Sequence, residues 1–427
     1  MIRIMQYGQT PNAEIFARQE EKADVSAVVG EIIRNVRREG DKAVLAYSAK
    51  FDGCQQDTLE VTAKEIEEAV ASVEPRFLDI LERAARNIRD FHSRQKRNSF
   101  VIAEKDGVIL GQKVTPIDRV GIYVPGGRAA YPSTVLMDSI PAKIAGCPEL
   151  VMVTPPGKDG KVNRVILAAA KIAGVDRIFK VGGAQAVAAL AYGTESIPRV
   201  DKIVGPGNAY VAEAKRQVFG RVAIDMVAGP SEILVVADGK SNPVHVAADM
   251  LSQAEHDPMA SAVLVTDSAD LAERVSRELE RQIPELPRAA IARASIDDYG
   301  KIIVAKDLRV VIDIANEIAP EHLELMVDDP FDYLDGIRHA GSIFMGRYCP
   351  ESLGDYFAGP NHTLPTGGTA RFSSALSVDD FVKKSQFTYY TASALQKAAA
   401  DVDYFARQEG LQAHGRSVTV RFEEEGK

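Results

Sequence analysis

The chain has 427 residues, 46% of them apolar and 26% charged, an ordinary globular composition with room for two cores. A net charge of −9 argues against a nucleic-acid surface, and no apolar run reaches the roughly 18 residues a membrane helix needs. The start, Met1-Ile2-Arg3-Ile4-Met5, has no signal-peptide pattern, and Cys54, Cys147 and Cys349 are too few and scattered for a disulfide framework, which points to a reducing cytoplasm.

The N-terminal third reads helical. Asp24 to Arg38 has helical apolar spacing and stops at Gly40. Thr62 and Glu65 form a capping-box pattern, and Pro75 suits the first turn of a long helix running toward Arg97. Two β-rich runs, Phe100–Ala103 and Gly107–Val114, flank a hairpin turn at Asp106-Gly107. From Arg119 strands and helices alternate. Val120–Val124, Leu150–Val153, Arg177–Val181 and Lys202–Val204 read as buried strands, with helices at Ser133–Ala145, Asn163–Ala173, Ala184–Ala191 and Ala209–Val218. A second series has strands at Ile233–Ala237, Ala262–Thr266, Lys301–Val304, Leu323–Val327 and Ser342–Phe344. Two successive βαβα blocks predict an α/β protein with two parallel, doubly wound sheets, the second recruiting the N-terminal helices as cover. After Ala375 the spacing predicts helices over Val378–Phe387 and Thr391–Glu409 and a terminal strand at Ser417–Phe422. Such an arm either exchanges between subunits or packs on its own domain.

The polar motifs fall between these elements. Glycine-rich turns follow three strands of the first block: Val124-Pro125-Gly126-Gly127, Val181-Gly182-Gly183-Ala184-Gln185 and Val204-Gly205-Pro206-Gly207-Asn208. At a strand-to-helix junction, backbone N–H groups and the helix dipole can cradle an anion. Each alone is an ordinary turn, but three at the carboxyl ends of one sheet predict a ligand crevice. The standard dinucleotide fingerprint is absent, because Tyr210 stands where its third glycine belongs.

The chain has seven histidines, and four sit in polar settings. In Leu251-Ser252-Gln253-Ala254-Glu255-His256, Gln253 and His256 share one helix face, so that a carboxamide oxygen and an imidazole nitrogen can meet one cation. In Pro320-Glu321-His322, proline breaks regular structure and a carboxylate and an imidazole can face one pocket as two bases of different strength. Gly354-Asp355-Tyr356 and Gly359-Pro360-Asn361-His362 offer a metal-ligating carboxylate and a substrate contact on a rigid loop. In Glu409-Gly410-Leu411-Gln412-Ala413-His414, glycine ends the arm helix and leaves His414 in the turn beyond. Gln253, His256, Asp355 and His414 give two nitrogens and two oxygens, a set that suits zinc although glutamine is an unusual ligand. Each motif also has a bland alternative: a solvated charge pair, a polar loop, a tail histidine.

These motifs in this order resemble the histidinol dehydrogenase family, together with Val120 through Gly127, Val181 through Val187, Gly205 through Tyr210 and Ala228-Gly229-Pro230-Ser231-Glu232. The likeness runs from the first helices to the end of the chain. It implies two incomplete Rossmann-like domains, with an N-terminal helical segment and a C-terminal helical arm. Residues 1–24 would be an N-terminal arm, 25–119 plus 232–375 the larger zinc and catalytic domain, 120–231 the NAD-binding domain, and 376–427 an arm exchanged in a homodimer. The implied reaction is oxidation of L-histidinol to L-histidine through L-histidinal with reduction of two NAD, the last step of histidine biosynthesis. The resemblance assigns zinc to Gln253, His256, Asp355 and His414, with His414 from the partner subunit. It assigns NAD contacts to Tyr123, Gln185 and Asn208. Substrate contacts fall to Ser231, His362 and Glu409, with His322 and the zinc ligands. Glu321 and His322 become the catalytic bases. The residues alone leave open a related zinc- and NAD-dependent dehydrogenase of another amino alcohol or diol, a zinc hydrolase, and a non-catalytic binding protein.

Overall fold

The computed structural model describes residues 1–18, 24–126 and 130–423; Gly127 of the first glycine turn and residues 19–23 of the expected N-terminal arm lie outside them. In chain order the strands are β1 (Arg3–Gln6), β2 (Phe100–Lys105), β3 (Val108–Pro116), β4 (Arg119–Tyr123) and β5 (Glu149–Thr154). They continue as β6 (Arg177–Lys180), β7 (Lys202–Val204), β8 (Ala223–Ile224), β9 (Glu232–Ala237) and β10 (Ser261–Thr266). The last four are β11 (Lys301–Val304), β12 (His322–Met326), β13 (Ser342–Met345) and β14 (Val382–Tyr390). By contact the chain divides into two units. One comprises Met1–Gln95 with Ile117–Phe381, the other Lys96–Pro116 with the chain from Val382 onward.

The first unit holds two parallel sheets, ordered β6-β5-β4-β7-β8 and β1-β11-β10-β9-β12-β13. Counted from their own first strands, β4 and β9, both run 3-2-1-4-5, and β1 adds an outer strand to the second. This is the doubly wound arrangement expected, made twice, with a switch point between β4 and β7 and another between β9 and β12. Strands such as Leu150-Val151-Met152-Val153 are buried on both faces, which is why they read as continuous apolar runs.

The cover differs from expectation. The helices Ser26–Glu39, Asp41–Phe51, Ala63–Ser72 and Pro75–His92 supply Ile32, Val44, Ala69 and Ile88 to the cores on either side of the five-stranded sheet. The second sheet is covered instead by its own crossovers, Pro243–Ala254, Ala269–Gln282 and Leu308–Ile318 among them. The predicted start signals are present: Thr62 and Glu65 close a capping box, and Pro75 opens its helix.

The second unit corrects two expectations. Val378–Phe387 is not a helix. A short turn, Val378–Phe381, precedes β14, which pairs antiparallel with β3 from Val382↔Pro116 to Tyr390↔Val108. The run Phe387-Thr388-Tyr389-Tyr390 is rich in β-formers, and its partner is remote in sequence, so helical spacing misleads there. Ser417–Phe422 is not a strand either. Helix Gln412–Thr419 and the turn Val420–Phe422 occupy it. Leu411 N–H returns to Ala406 O at 2.7 Å and folds this helix back on Ala392–Gln408. A Cβ on Gly415 would lie 2.3 Å from Asp403 Oδ1, so the packing admits no side chain there.

Candidate active site

The carboxyl ends of β4, β6 and β7 form one edge. The Tyr123 hydroxyl accepts the Gly183 N–H at 3.1 Å, and burial pushes that phenol up to about 12. Gln185 begins the next helical turn, buried, with Oε1 lacking a hydrogen-bond partner. Asn208 caps helix Ala209–Val218 by accepting the N–H groups of Tyr210 and Val211 at 3.1 and 3.2 Å. The turn before it is pinned: Gly205 has φ +115°, and a Cβ there would lie 2.1 Å from Tyr123 O. Its N–H donates to Asp225 at 2.8 Å and its carbonyl accepts Lys215 Nζ at 2.9 Å. Lys215 and Asp225 also pair with each other, both fully buried. Thus the three residues expected to meet NAD stand on one edge of the first sheet.

The opposing edge is the amino end of the second sheet. Helix Leu308–Ile318 stops at Ala319, whose φ of +47° is the one left-handed non-glycine among the described residues. Pro320 follows, and β12 starts at His322. The amide of Glu232, at the start of β9, donates to Glu321 Oε2 at 2.8 Å. Its carbonyl receives His322 Nδ1 at 2.9 Å. A carbonyl only accepts, so Nδ1 carries a proton and donates it, which leaves Nε2 as the ring nitrogen turned to the site. Nε2 is buried without a hydrogen-bond partner, 3.9 Å from Glu351 Oε1 and 4.0 Å from Asp355 Oδ1. Burial raises Glu321 well above the usual carboxylate range, and the Glu232 hydrogen bond offsets this only in part.

Asp355 sits in a π-helical turn, Gly354–Ala358, a wide turn that often marks functional sites. Burial opposes its ionisation, but the His362 hydrogen bond and the His362 and His322 charges outweigh that and hold its carboxyl low. Burial in turn lowers His362, and Asp355, 3.6 Å away, more than restores it. Burial raises neighbouring Glu351, so of these two acids Asp355 carries the charge. The loop bearing His362 also reaches the first sheet's helix Pro132–Ala145. His362 Nε2 is 3.4 Å from Thr134 Oγ1, Thr363 donates to Asp138 at 2.7 Å, and Asn361 donates to Met137 O at 2.6 Å. The two edges therefore share one loop.

Helix Pro243–Ala254 ends here too. Gln253 is buried with Oε1 unpartnered, and His256 follows one turn later, its N–H on Gln253 O at 3.1 Å. Burial lowers His256, and Asp355 and His322 lie close enough for their charges to act on its ring. An orphaned carboxamide oxygen, an imidazole biased to its neutral form and an ionised carboxylate fit a zinc ion. Among the described residues, His322, Glu351 and Asp355 also place ligand atoms within 4.8 Å of one another. Ser231 precedes β9, half-buried.

Glu409 and His414 belong to the second unit and are exposed. Gly410 does end the arm helix, but His414 lies within helix Gln412–Thr419 rather than in a turn. Sequence reasoning passed over Glu351 and Glu232. Glu351 carried one legible signal, its spacing of one helical turn from Asp355. Glu232 figures only as the end of the run Ala228-Gly229-Pro230-Ser231-Glu232, which gives no hint of the role of its backbone.

The family model for histidinol dehydrogenase matches residues 16–422. Histidinol dehydrogenase of Syntrophotalea carbinolica is 57% identical over 96% of each chain, and that of Listeria monocytogenes serotype 4b 55% identical over 94% of each. The crystal structure of histidinol dehydrogenase from Elizabethkingia anophelis superposes with a TM-score of 0.93 at 40% identity, over 99% of this chain and 98% of that one. The chain belongs to the histidinol dehydrogenase family.

Proposed function

We propose that this chain oxidises L-histidinol to L-histidine through L-histidinal, reducing two NAD, as the last step of histidine biosynthesis. The observation that carries this reading is the His322 imidazole, fixed at Nδ1 by Glu232 O, with a buried, unpartnered Nε2, beside Glu321. His322 takes the substrate hydroxyl proton in the first oxidation. Glu321, with basicity raised by burial, then draws a proton from the water that adds to the aldehyde, and His322 assists the second oxidation. NAD, held by Tyr123, Gln185 and Asn208, supplies the hydride acceptor. Zinc would be held by Gln253, His256, Asp355 and the partner subunit's His414, and would supply an anchor for the substrate rather than redox chemistry, of which it has none. His362, Ser231 and Glu409 orient the substrate, and holding the aldehyde limits escape of a reactive intermediate.

A homodimer with a shared site agrees with the second unit, where Phe100, Val101, Tyr389, Tyr404 and Phe405 are exposed, more apolar surface than a free arm needs. The test of the division of labour is Glu321→Gln. It is expected to keep alcohol oxidation and impair aldehyde oxidation, measured as NADH formed from each substrate supplied separately. Equal loss in both half-reactions overturns it.

A further inference from the structure

We propose that Arg18, outside every assigned site, is a positioning residue that holds the catalytic pair in place through Glu232 and Ile318. The inference rests on Glu321 and His322 being the bases. Both are gripped by the backbone of one residue, the N–H and C=O of Glu232. The β9–β12 register begins at Ile233↔His322, so although β10 pairs with Glu232 through Ser261, no β9–β12 pair joins Glu232 to Glu321.

Arg18 ties the two segments together at that step. Its Nη1 lies 2.5 Å from Glu232 Oε1, and its Nη2 donates to Ile318 O. Ile318 is the last helical residue before Ala319-Pro320-Glu321-His322. One planar guanidinium thus joins the segment carrying the clamp to the segment carrying the bases. Its rigid fork suits that geometry, and a lysine ammonium does not reproduce it. The loop beyond His362 closes on the same group: a Cβ on Gly368 would lie 3.0 Å from Arg18 Nη2. The Glu232 carboxyl is largely buried, so its pairing is screened less than a surface ion pair.

Behind this contact lies a cavity of about 250 Å³ lined by Arg18, Glu232, Arg3, Lys301 and Pro320. It gives a small cation access to the place an Arg18 truncation would vacate. That permits a test which a general loss of stability would not pass.

Arg18→Met in the full-length enzyme is expected to keep KM for L-histidinol and NAD within about twofold. We expect kcat to fall on the order of 10- to 100-fold, the usual penalty for misplacing a catalytic group by an ångström or less. Millimolar guanidinium should restore part of kcat, and Arg18→Lys should recover little. Unchanged kcat, or a loss that guanidinium does not relieve, overturns the proposal. If Arg18→Met does not fold, Glu232→Gln keeps the peptide clamp and removes the ion pair. It should show the same fall in kcat at constant KM, and parental kcat in that variant overturns the proposal. Glu321→Gln and His322→Ala are the controls: if both retain full activity, the assignment of the bases has failed rather than the role of Arg18.

Discussion

At the scale of residues, the pair Glu321-His322 was legible because proline, carboxylate and imidazole are adjacent in the chain. Its clamp was not, because a backbone amide and carbonyl leave no mark on a sequence. The same holds for Asp138, fully buried behind His362, where burial raises the carboxyl to about 7 and the Thr363 hydrogen bond opposes this. A folded-state value above the ordinary one means that the folded chain holds a proton the unfolded chain has released. Stability therefore falls as pH rises from about 4 to about 7. Asp138→Asn removes that slope. Its melting temperature relative to the parent should rise by a few degrees between pH 5 and pH 8, read by scanning fluorimetry. A constant offset across pH would contradict the burial argument.

At the scale of elements, the parallel strands and their crossovers could be read from apolar runs, because burial on both faces fixes composition directly. The segments after Ala375 could not. β14 is held by β3, more than 200 residues earlier, and helix Gln412–Thr419 by its packing on Ala392–Gln408. Local spacing carries neither partner. The turn at Gly205 shows an element held by charge. Lys215 and Asp225 grip its carbonyl and amide from a fully buried site. Lys215→Met leaves Asp225 buried and unpaired, at a cost of about 3–5 kcal/mol. It should lower the melting temperature and, where folded protein is recovered, weaken NAD binding by calorimetry about tenfold or more. An unchanged NAD affinity would mean that the turn needs no such grip.

At the scale of the whole molecule, the two sheets with one strand order were legible as two βαβα blocks, and the cover given by the N-terminal helices was misread. Helices Ser26–Glu39 to Pro75–His92 precede every strand of the first sheet and all but β1 of the second, and nothing in their amphipathic spacing names the sheet they cover. The site combines the carboxyl edge of one sheet with the amino edge of the other, through the loop Gly359–Thr366. In the proposed dimer the partner subunit's arm completes it. Mixing His256→Ala subunits with His414→Ala subunits should then recover activity that neither has alone, and no recovery would place the site within one chain.

The most direct measurement is NADH formed per L-histidinol consumed, before and after metal chelation. Two NADH per substrate, lost on chelation and restored by added zinc, is the predicted result. One NADH or none, or full activity after chelation, would contradict the account.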